Sequence, residues 1–243
     1  ADTAGRLHVK EQLMAELQEA QGRAGYFAML RFSENTADPE RGALMMRVQE
    51  RSTTLATQLV FFELEWAAVD EAHVERLLQD PALDFCAHHL RSMHRYRDHM
   101  LSEAEEQLLT EKSVSGASAW VRLFDEQTSA ITVDLPASLV GGEGDEPATV
   151  PLEAGLSMLQ HPDREVRRTA AEAVTAGLEP GLRTRGFIFN TLLLDKSVDD
   201  RLRHYPTWIS ERNLSNEASD ESVQALIDAV VGRFDIPQRW YSL

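Results

Sequence analysis

Two long segments without internal proline, at the start of the chain, constrain its fold most. Residues 3–33 contain no proline, and their apolar side chains recur about one helical turn apart. A second such segment starts at Asp38-Pro39, where a capping residue precedes a proline in the first turn, and continues to about Val69. The pattern predicts two long amphipathic helices, which we expect to pack antiparallel.

Shorter helices are predicted for most of the remaining chain, from start signals and apolar periodicity. They are expected over residues 71–78, from Pro81, from Ser102 with a capping box, over residues 117–128 and 151–160, over residues 162–198 with a division at Pro180, and from Ser219 or Asp220 to Phe234.

One interruption has strand character, at about residues 130–150. Residues 131–135 and 148–150 are rich in β-branched and apolar residues, and a glycine-rich stretch at 141–147 lies between them. This predicts a β-hairpin. The expected fold is therefore mainly α, an elongated antiparallel helical lobe with one small β-hairpin, and the whole chain 1–243 is expected to form a single lobe.

The charge and the apolar content of the sequence argue against two classes of binding partner. The 243 residues carry 40 acidic and 24 basic side chains, a formal charge of −16 that repels phosphate backbones, so we expect no nucleic acid. No apolar run reaches the roughly 18–20 residues of a membrane span, so we expect no membrane as a partner.

The chain opens without Met or a secretory signal, which indicates a cut or processed start. The single cysteine, Cys86, favours a cytoplasmic protein and is expected to be a core residue.

Histidines are concentrated in one short region of the chain, at His88, His89, His94 and His99. On a helix, their five- and six-residue separations place the side chains roughly 120–140° apart, so they cannot share one metal ion. Two-ligand contacts of His88 with Asp84 and of His94 with Asp98 are conceivable, but surface pairs or core contacts are favoured.

Other candidate sites are weaker still. The string His-Glu-x-x-His of zinc peptidases does not occur in the sequence. Ser118 lacks the flanking glycine and preceding strand of a nucleophile elbow, which favours a serine on a helix surface. Gly141–Gly144 has acidic neighbours and favours a hairpin loop over phosphate binding. Glu63 and Glu65 are two positions apart on a helix and face away from each other. We therefore assign no catalytic, cofactor-binding or metal-binding residue.

Three segments of the sequence, taken together, resemble a known protein family. Residues 95–109 read Arg-Tyr-Arg-Asp-His-Met-Leu-Ser-Glu-Ala-Glu-Glu-Gln-Leu-Leu, residues 116–126 read Gly-Ala-Ser-Ala-Trp-Val-Arg-Leu-Phe-Asp-Glu, and residues 161–167 read His-Pro-Asp-Arg-Glu-Val-Arg. Their order and spacing resemble the N-terminal lobe of oligoendopeptidase F and its relatives, zinc metallopeptidases of the thimet oligopeptidase superfamily. Residues 30–39 and 205–213 look similar to that lobe too, so the resemblance covers nearly the whole chain.

The resemblance implies a cytoplasmic enzyme that hydrolyses internal bonds of short peptides. It also implies a zinc ion, held by the two histidines of His-Glu-x-x-His and a downstream glutamate, in a catalytic half that this sequence does not contain. No ligand or catalytic base can be transferred to a residue here. The expected partners are therefore short peptides, together with that missing half.

Two functions from different classes follow. The first is a non-catalytic lobe that forms one wall of a cleft admitting short peptides. The alternative is a stand-alone helical module that binds peptides or proteins and has no catalytic activity. A lobe should expose the apolar patch that packs on the missing catalytic half. A stand-alone module should instead have a polar surface or should self-associate. A helical metal-binding protein is a third option, and it rests only on the histidines.

Overall fold

The protein is described by a computed structural model, which covers residues 3–141 and 146–242. The predicted fold class is confirmed, because helices dominate and two short strands form one antiparallel pair. The α-helices are α1 (Thr3–Glu34), α2 (Pro39–Ala67), α3 (Glu71–Leu77), α4 (Ala87–His94), α5 (Glu103–Ser113), α6 (Ala117–Ser129), α7 (Leu152–Met158), α8 (Arg164–Leu178), α9 (Leu182–Leu202), α10 (Ser210–Ser215), α11 (Asp220–Val231) and α12 (Asp235–Tyr241). The strands are β1 (Thr132–Pro136) and β2 (Pro147–Pro151).

The two long helices occur as predicted. Asp38 accepts a hydrogen bond from the backbone N–H of Glu40 at 2.9 Å, which satisfies a free donor at the start of α2. Arg41 donates from Nη1 to the carbonyl of Arg31 at 2.9 Å and to the carboxylate of Glu34 at 2.8 Å. These bonds fix the reversal of the chain between the end of α1 and the start of α2.

The chain divides into two compact units. The first contains Ala1–Ala15, Gln58–Gln107 and Lys196–Leu243, and the second contains Glu16–Thr57 and Leu108–Asp195. Among the helices of the described residues, none is both long and apolar enough to cross a bilayer.

A core of side chains from α1 to α4 holds the first unit together, and Trp66 is its largest member. The indole Nε1 of Trp66 donates to the carbonyl oxygen of Leu90 at 2.8 Å, so the polar edge of this ring is satisfied although the ring is buried. Cys86 lies in this core, as predicted. The buried members are Leu7, Trp66, Val74, Leu78, Leu83, Cys86 and Leu90.

Two predicted helices of the first unit are corrected. The helix expected from Pro81 is only a 3₁₀ turn, Pro81–Leu83, because Asp80 caps the turn through Ala82 N–H and the chain leaves helical geometry at Cys86. The helix expected to reach Phe234 ends at Val231. Pro237 lacks the N–H needed to continue a helix from there, and it is tolerated in the first turn of the separate helix α12.

The second unit contains the predicted hairpin. Strand β1 pairs with β2 so that Val133 lies opposite Val150, and Val133 and Leu135 are buried on one face against Ala170 and Val174 of α8. This alternation of buried and exposed residues has the period expected for a half-buried strand. Part of the predicted glycine-rich loop, residues 142–145, lies outside the described residues.

Pro180 divides the segment after the hairpin, as predicted. Helix α8 ends at Leu178, α9 begins at Leu182, and Gly181 between them has a φ of +77°, a conformation that favours glycine. Arg185 stabilises this break because its guanidinium donates to the carbonyl oxygens of Leu178 and Pro180, which the end of α8 leaves without helical partners.

Candidate functional site

A cavity in the first unit, called here the polar cavity for its five charged side chains, is the first candidate for a functional site. Its volume is ≈ 470 Å³, within the range of roughly 300–1,000 Å³ that is usual for ligand pockets. Its charged lining residues are Glu63, Glu106, Asp199, Arg203 and Glu211, and its rings come from His89, Tyr96, His99 and Tyr205.

Local structure places Arg203 at one wall of this cavity. It directly follows the last residue of α9, and the next residue, His204, has a φ of 60°. This left-handed residue ends the helix, and the N–H of Tyr205 then donates to the carbonyl of Asp200 at 2.8 Å. The turn therefore holds the side chains of Arg203 and Tyr205 at the same end of α9.

Glu106 faces Arg203 from the first turn of α5. The helix begins after Ser102, whose N–H donates to the carboxylate of Glu105 at 3.0 Å, one half of the predicted capping box. The N–H of Leu101 donates to Glu106 Oε1 at 3.0 Å. Glu106 is thus held by the backbone that leads into its own helix.

Arg203 and Glu106 form a two-pronged ion pair. Arg203 Nη1 lies 2.6 Å from Glu106 Oε1, and Nη2 lies 3.0 Å from Oε2. Their side chains are 20% and 8% exposed, so water screens the pair little. Arg203 Nε also donates to Asp199 at 3.1 Å. The planar guanidinium is suited to this geometry, and its three nitrogens are all used.

The ion pair shifts the pKa of each group in the direction that favours its charged form. Burial by itself raises the pKa of Glu106, but the hydrogen bonds from Arg203 and Leu101 and the charge of Arg203 outweigh it and lower the pKa below its ordinary value. The hydrogen bond to Glu106 raises the pKa of Arg203, which also favours the charged form of that group. Both groups are therefore charged at neutral pH, and neither is suited to exchange protons with a substrate.

His99 and Tyr205 form the aromatic side of the cavity. Their rings stack with centroids 4.0 Å apart and an interplanar angle of 19°. His99 Nδ1 donates to the carbonyl oxygen of Arg203 at 2.8 Å, and since a carbonyl only accepts, the proton must reside on Nδ1. Burial, with the nearby charge of Glu211, raises the pKa of Tyr205 to about 12, so its hydroxyl stays protonated.

Glu63 differs from the other carboxylates of the cavity. Its side chain is exposed to solvent at the cavity that it lines, and partial desolvation there raises its pKa. The charge of Glu106 raises it further, while Lys10 and His89 act in the opposite sense. Glu65, two positions along α2, lines a different cavity, as expected from their spacing.

The four clustered histidines have separate partners. His88 Nε2 donates to Glu217 at 3.0 Å, and His94 Nε2 donates to the carbonyl of Val69 at 2.8 Å. His89 lies 4.0 Å from Glu11, and His99 is bonded as described above. Within residues 3–141 and 146–242, no three side chains of the types that bind zinc are grouped to hold an ion. These residues therefore do not fit the zinc centre of a peptidase.

Two other sequence candidates occupy structural positions. Ser118 lies within the first turn of α6 and is half-buried. Burial raises the pKa of the Cys86 thiol, which disfavours the reactive thiolate. Neither residue is placed as a nucleophile beside a base.

A larger cavity, ≈ 640 Å³, lies in the second unit and is lined largely by β1, the end of α8 and Pro180. Its charged side chains are committed to the fold, because Asp134 accepts a hydrogen bond from Thr149 at 2.6 Å and Arg185 closes the end of α8. Of these two cavities, the polar cavity lined by Glu63, Glu106 and Arg203 is therefore the better candidate.

Sequence inspection did not identify the pair of Arg203 and Glu106, which are 97 positions apart. Glu106 is one of four acidic residues in a short segment and looks like part of a solvated helix face. The only local signal is that it directly follows the capping glutamate, and this does not distinguish a buried carboxylate from an exposed one.

Comparisons with known proteins agree with the family resemblance. The family model for oligopeptidase F matches residues 65–132. Oligoendopeptidase-F from Enterococcus faecium has a similar structure, with a TM-score of 0.79 and 20% sequence identity over 95% of this chain. A putative peptidase from Chlamydophila abortus gives a TM-score of 0.66 and 16% identity over 99% of this chain. No curated protein matches the sequence.

The matched region covers part of each larger protein, 43% of the Enterococcus chain and 40% of the Chlamydophila chain. The predicted resemblance to the N-terminal lobe of oligoendopeptidase F is thereby confirmed: residues 65–132 carry the oligopeptidase F family segment, and the chain has the fold of a portion of oligoendopeptidase F.

Proposed function

We propose that this chain is the non-catalytic N-terminal lobe of a zinc-dependent oligopeptidase and forms one wall of the cleft that admits short peptides. The observation that carries the proposal is the family segment at residues 65–132. This segment supplies every buried member of the first unit's core except Leu7. The resemblance therefore concerns residues that determine the fold, rather than a peripheral motif.

The zinc ion and the residues that bind it belong, in this proposal, to the rest of the enzyme. The histidines of this chain are engaged in separate contacts, as described above, and do not fit that role. The enzyme would use the metal to activate water and cleave internal peptide bonds, and this lobe would limit access to peptides short enough to enter. We propose a cytoplasmic location for it.

An exposed apolar surface on α11 and α12 supports the presence of a second half. Trp240 and Tyr241 are 72% and 86% exposed. Exposed apolar surface of this extent is unusual for a protein that acts alone and is typical of a contact surface. Its residues, called here the terminal apolar surface, are Leu226, Ile227, Val230, Val231, Phe234, Ile236, Trp240 and Tyr241.

The experiment that tests this is light scattering of the isolated chain with a hydrophobic dye. We expect dye binding and concentration-dependent association, both reduced in the variant Val230→Ser/Trp240→Ser. The control Val9→Ser changes another valine that is also 54% exposed but lies outside the terminal apolar surface, and it should leave both signals unchanged. A chain that binds no dye, whether it is monomeric or forms a defined oligomer that covers this surface, would favour the stand-alone interaction module instead.

A further inference from the structure

The polar cavity of the first unit combines an anionic group with polarisable walls. Its lining residues include Glu63, the aromatic residues Tyr96 and Tyr205, and the methionines Met93 and Met100. Aromatic faces and a carboxylate are the groups that proteins use to bind organic cations.

The cations already near this cavity are committed to other acidic groups. The nitrogens of Arg203 are used by Glu106 and Asp199, and Lys196 Nζ lies 2.8 Å from Asp200 and 3.4 Å from Glu211. In the part of the chain that the structure describes, these bonds leave no guanidinium or ammonium group of the cavity for Glu63.

Lys10 and His89 are the cationic or titratable groups whose positive charge acts on Glu63, and His89 lies 4.0 Å from Glu11. Lys10 Nζ lies 2.8 Å from Glu11 Oε1 and 3.0 Å from the centre of the Phe62 ring. No side chain of the described residues donates a hydrogen bond to the carboxylate of Glu63. Glu63 lines the cavity together with the second negative charge of Glu106, and a cation between such groups is favoured.

We propose that this cavity binds the guanidinium or primary ammonium group of a ligand, with Glu63 as its counter-ion and with Tyr96 and Tyr205 as the aromatic walls. The cavity volume of ≈ 470 Å³ is ample for a single basic side chain. An arginine side chain, a lysine side chain and the amino terminus of a peptide share this chemistry. The site lies wholly within the first unit, so its binding does not depend on the proposed peptidase function and can be measured on this chain alone.

The test is an NMR titration of the isotopically labelled chain at pH 7.5 and constant ionic strength. Four probes are compared: N-acetylarginine amide, its uncharged isostere N-acetylcitrulline amide, N-acetyllysine amide, and glycine amide as an amino terminus. We expect saturable shifts of the His99 and Tyr205 ring resonances with one or more of the cationic probes, and none with the citrulline compound.

Two variants locate the site. Glu63→Gln should weaken binding roughly 10-fold to 100-fold, as expected for the loss of a charged hydrogen-bond partner. Glu65→Gln removes the same charge from the same helix, but in a different cavity, and should change affinity less than about twofold. Equal weakening by both variants would show only general attraction to an acidic protein and would overturn the proposal.

The unmodified chain provides a second criterion that does not depend on the folding of any variant. Ring shifts that are equal for arginine and citrulline compounds, or absent for all cationic probes at millimolar concentration, would also overturn the proposal. A preference among the cationic probes identifies which of the three chemical sources the site accepts.

Discussion

Arg203 binds both carboxylate oxygens of Glu106, at 2.6 and 3.0 Å, and thereby joins the end of α9 to the first turn of α5. Arg203 Nη1 also lies 3.3 Å from the carbonyl oxygen of His99, whose ring bonds back to the carbonyl of Arg203. One guanidinium therefore connects the end of α9 to two neighbouring positions, His99 and Glu106, that are 104 and 97 positions away in sequence. We infer a structural role for the pair, since each group uses its main hydrogen bonds within the chain.

Replacing Arg203 should destabilise the fold. Arg203→Met leaves the buried carboxylate of Glu106 without its main partner, and we expect the free energy of unfolding to fall by about 2–4 kcal/mol. The control Arg168→Met removes an arginine that is 65% exposed and pairs with Glu165 on the surface of α8, and it should leave the free energy of unfolding nearly unchanged. Urea denaturation followed by circular dichroism measures both. Equal losses for the two variants would contradict the structural role.

The stabilities of Glu106→Gln and Glu63→Gln should depend on pH in opposite ways. The pKa of Glu106 is below its ordinary value of 4.5 in the folded chain, so ionised Glu106 stabilises the fold above pH 4.5, and this contribution is lost as pH falls through the folded pKa. Glu106→Gln should therefore be less stable than the wild type at pH 7, by about 1–3 kcal/mol, with a smaller deficit in acid.

For Glu63 the sign is reversed. Its pKa is raised above 4.5 in the folded chain, so ionisation opposes folding, and this penalty is complete above the folded pKa and disappears as pH falls below 4.5. Glu63→Gln should be more stable than the wild type at pH 7 and should lose that advantage in acid. NMR titration of the two carboxyl carbons checks both directions, and two coincident titration curves would refute the assigned environments.

Gly177 should resist replacement because α8 approaches β1 closely there. A Cβ atom at this position would lie 2.7 Å from the carbonyl oxygen of Thr132 and 2.8 Å from Cγ1 of Val133, so Gly177→Ala should cost about 1–3 kcal/mol. The matched control is Gly186→Ala in α9, where a Cβ would meet nothing within 4 Å, and it should stabilise by about 0.5–1 kcal/mol. Thermal unfolding of both variants measures the difference. A stabilised Gly177→Ala chain would mean that the helix and strand are not packed as described.

Local sequence signals predicted the elements whose causes are local. The proline and capping residue at Asp38-Pro39 start α2, Pro180 separates α8 from α9, and Ser219 caps α11 by accepting from Ser222 N–H at 3.2 Å. Each of these effects acts within one or two helical turns, so a short window of sequence contains it.

The candidate cavity could not be predicted in this way. It depends on α2, α5 and the end of α9, which meet only after tertiary folding. The histidines illustrate the same limit, because a spacing on one helix could not reveal that His99 lies in a separate turn and bonds to Arg203, or that His88 bonds to Glu217. Side-chain spacing on one helix contains no information about partners from distant segments.

The proposed function places this sequence in a longer protein, and a cleavage assay on that protein tests the central claim most directly. A short peptide with a fluorophore and a quencher at its two ends reports cleavage of internal bonds, and the assay is run with and without a metal chelator, beside the isolated chain. The account predicts cleavage by the longer protein that the chelator abolishes and added zinc restores, and no cleavage by the chain alone. If the longer protein does not cleave the peptide, or if cleavage is unaffected by the chelator, the assignment to a zinc oligopeptidase is contradicted.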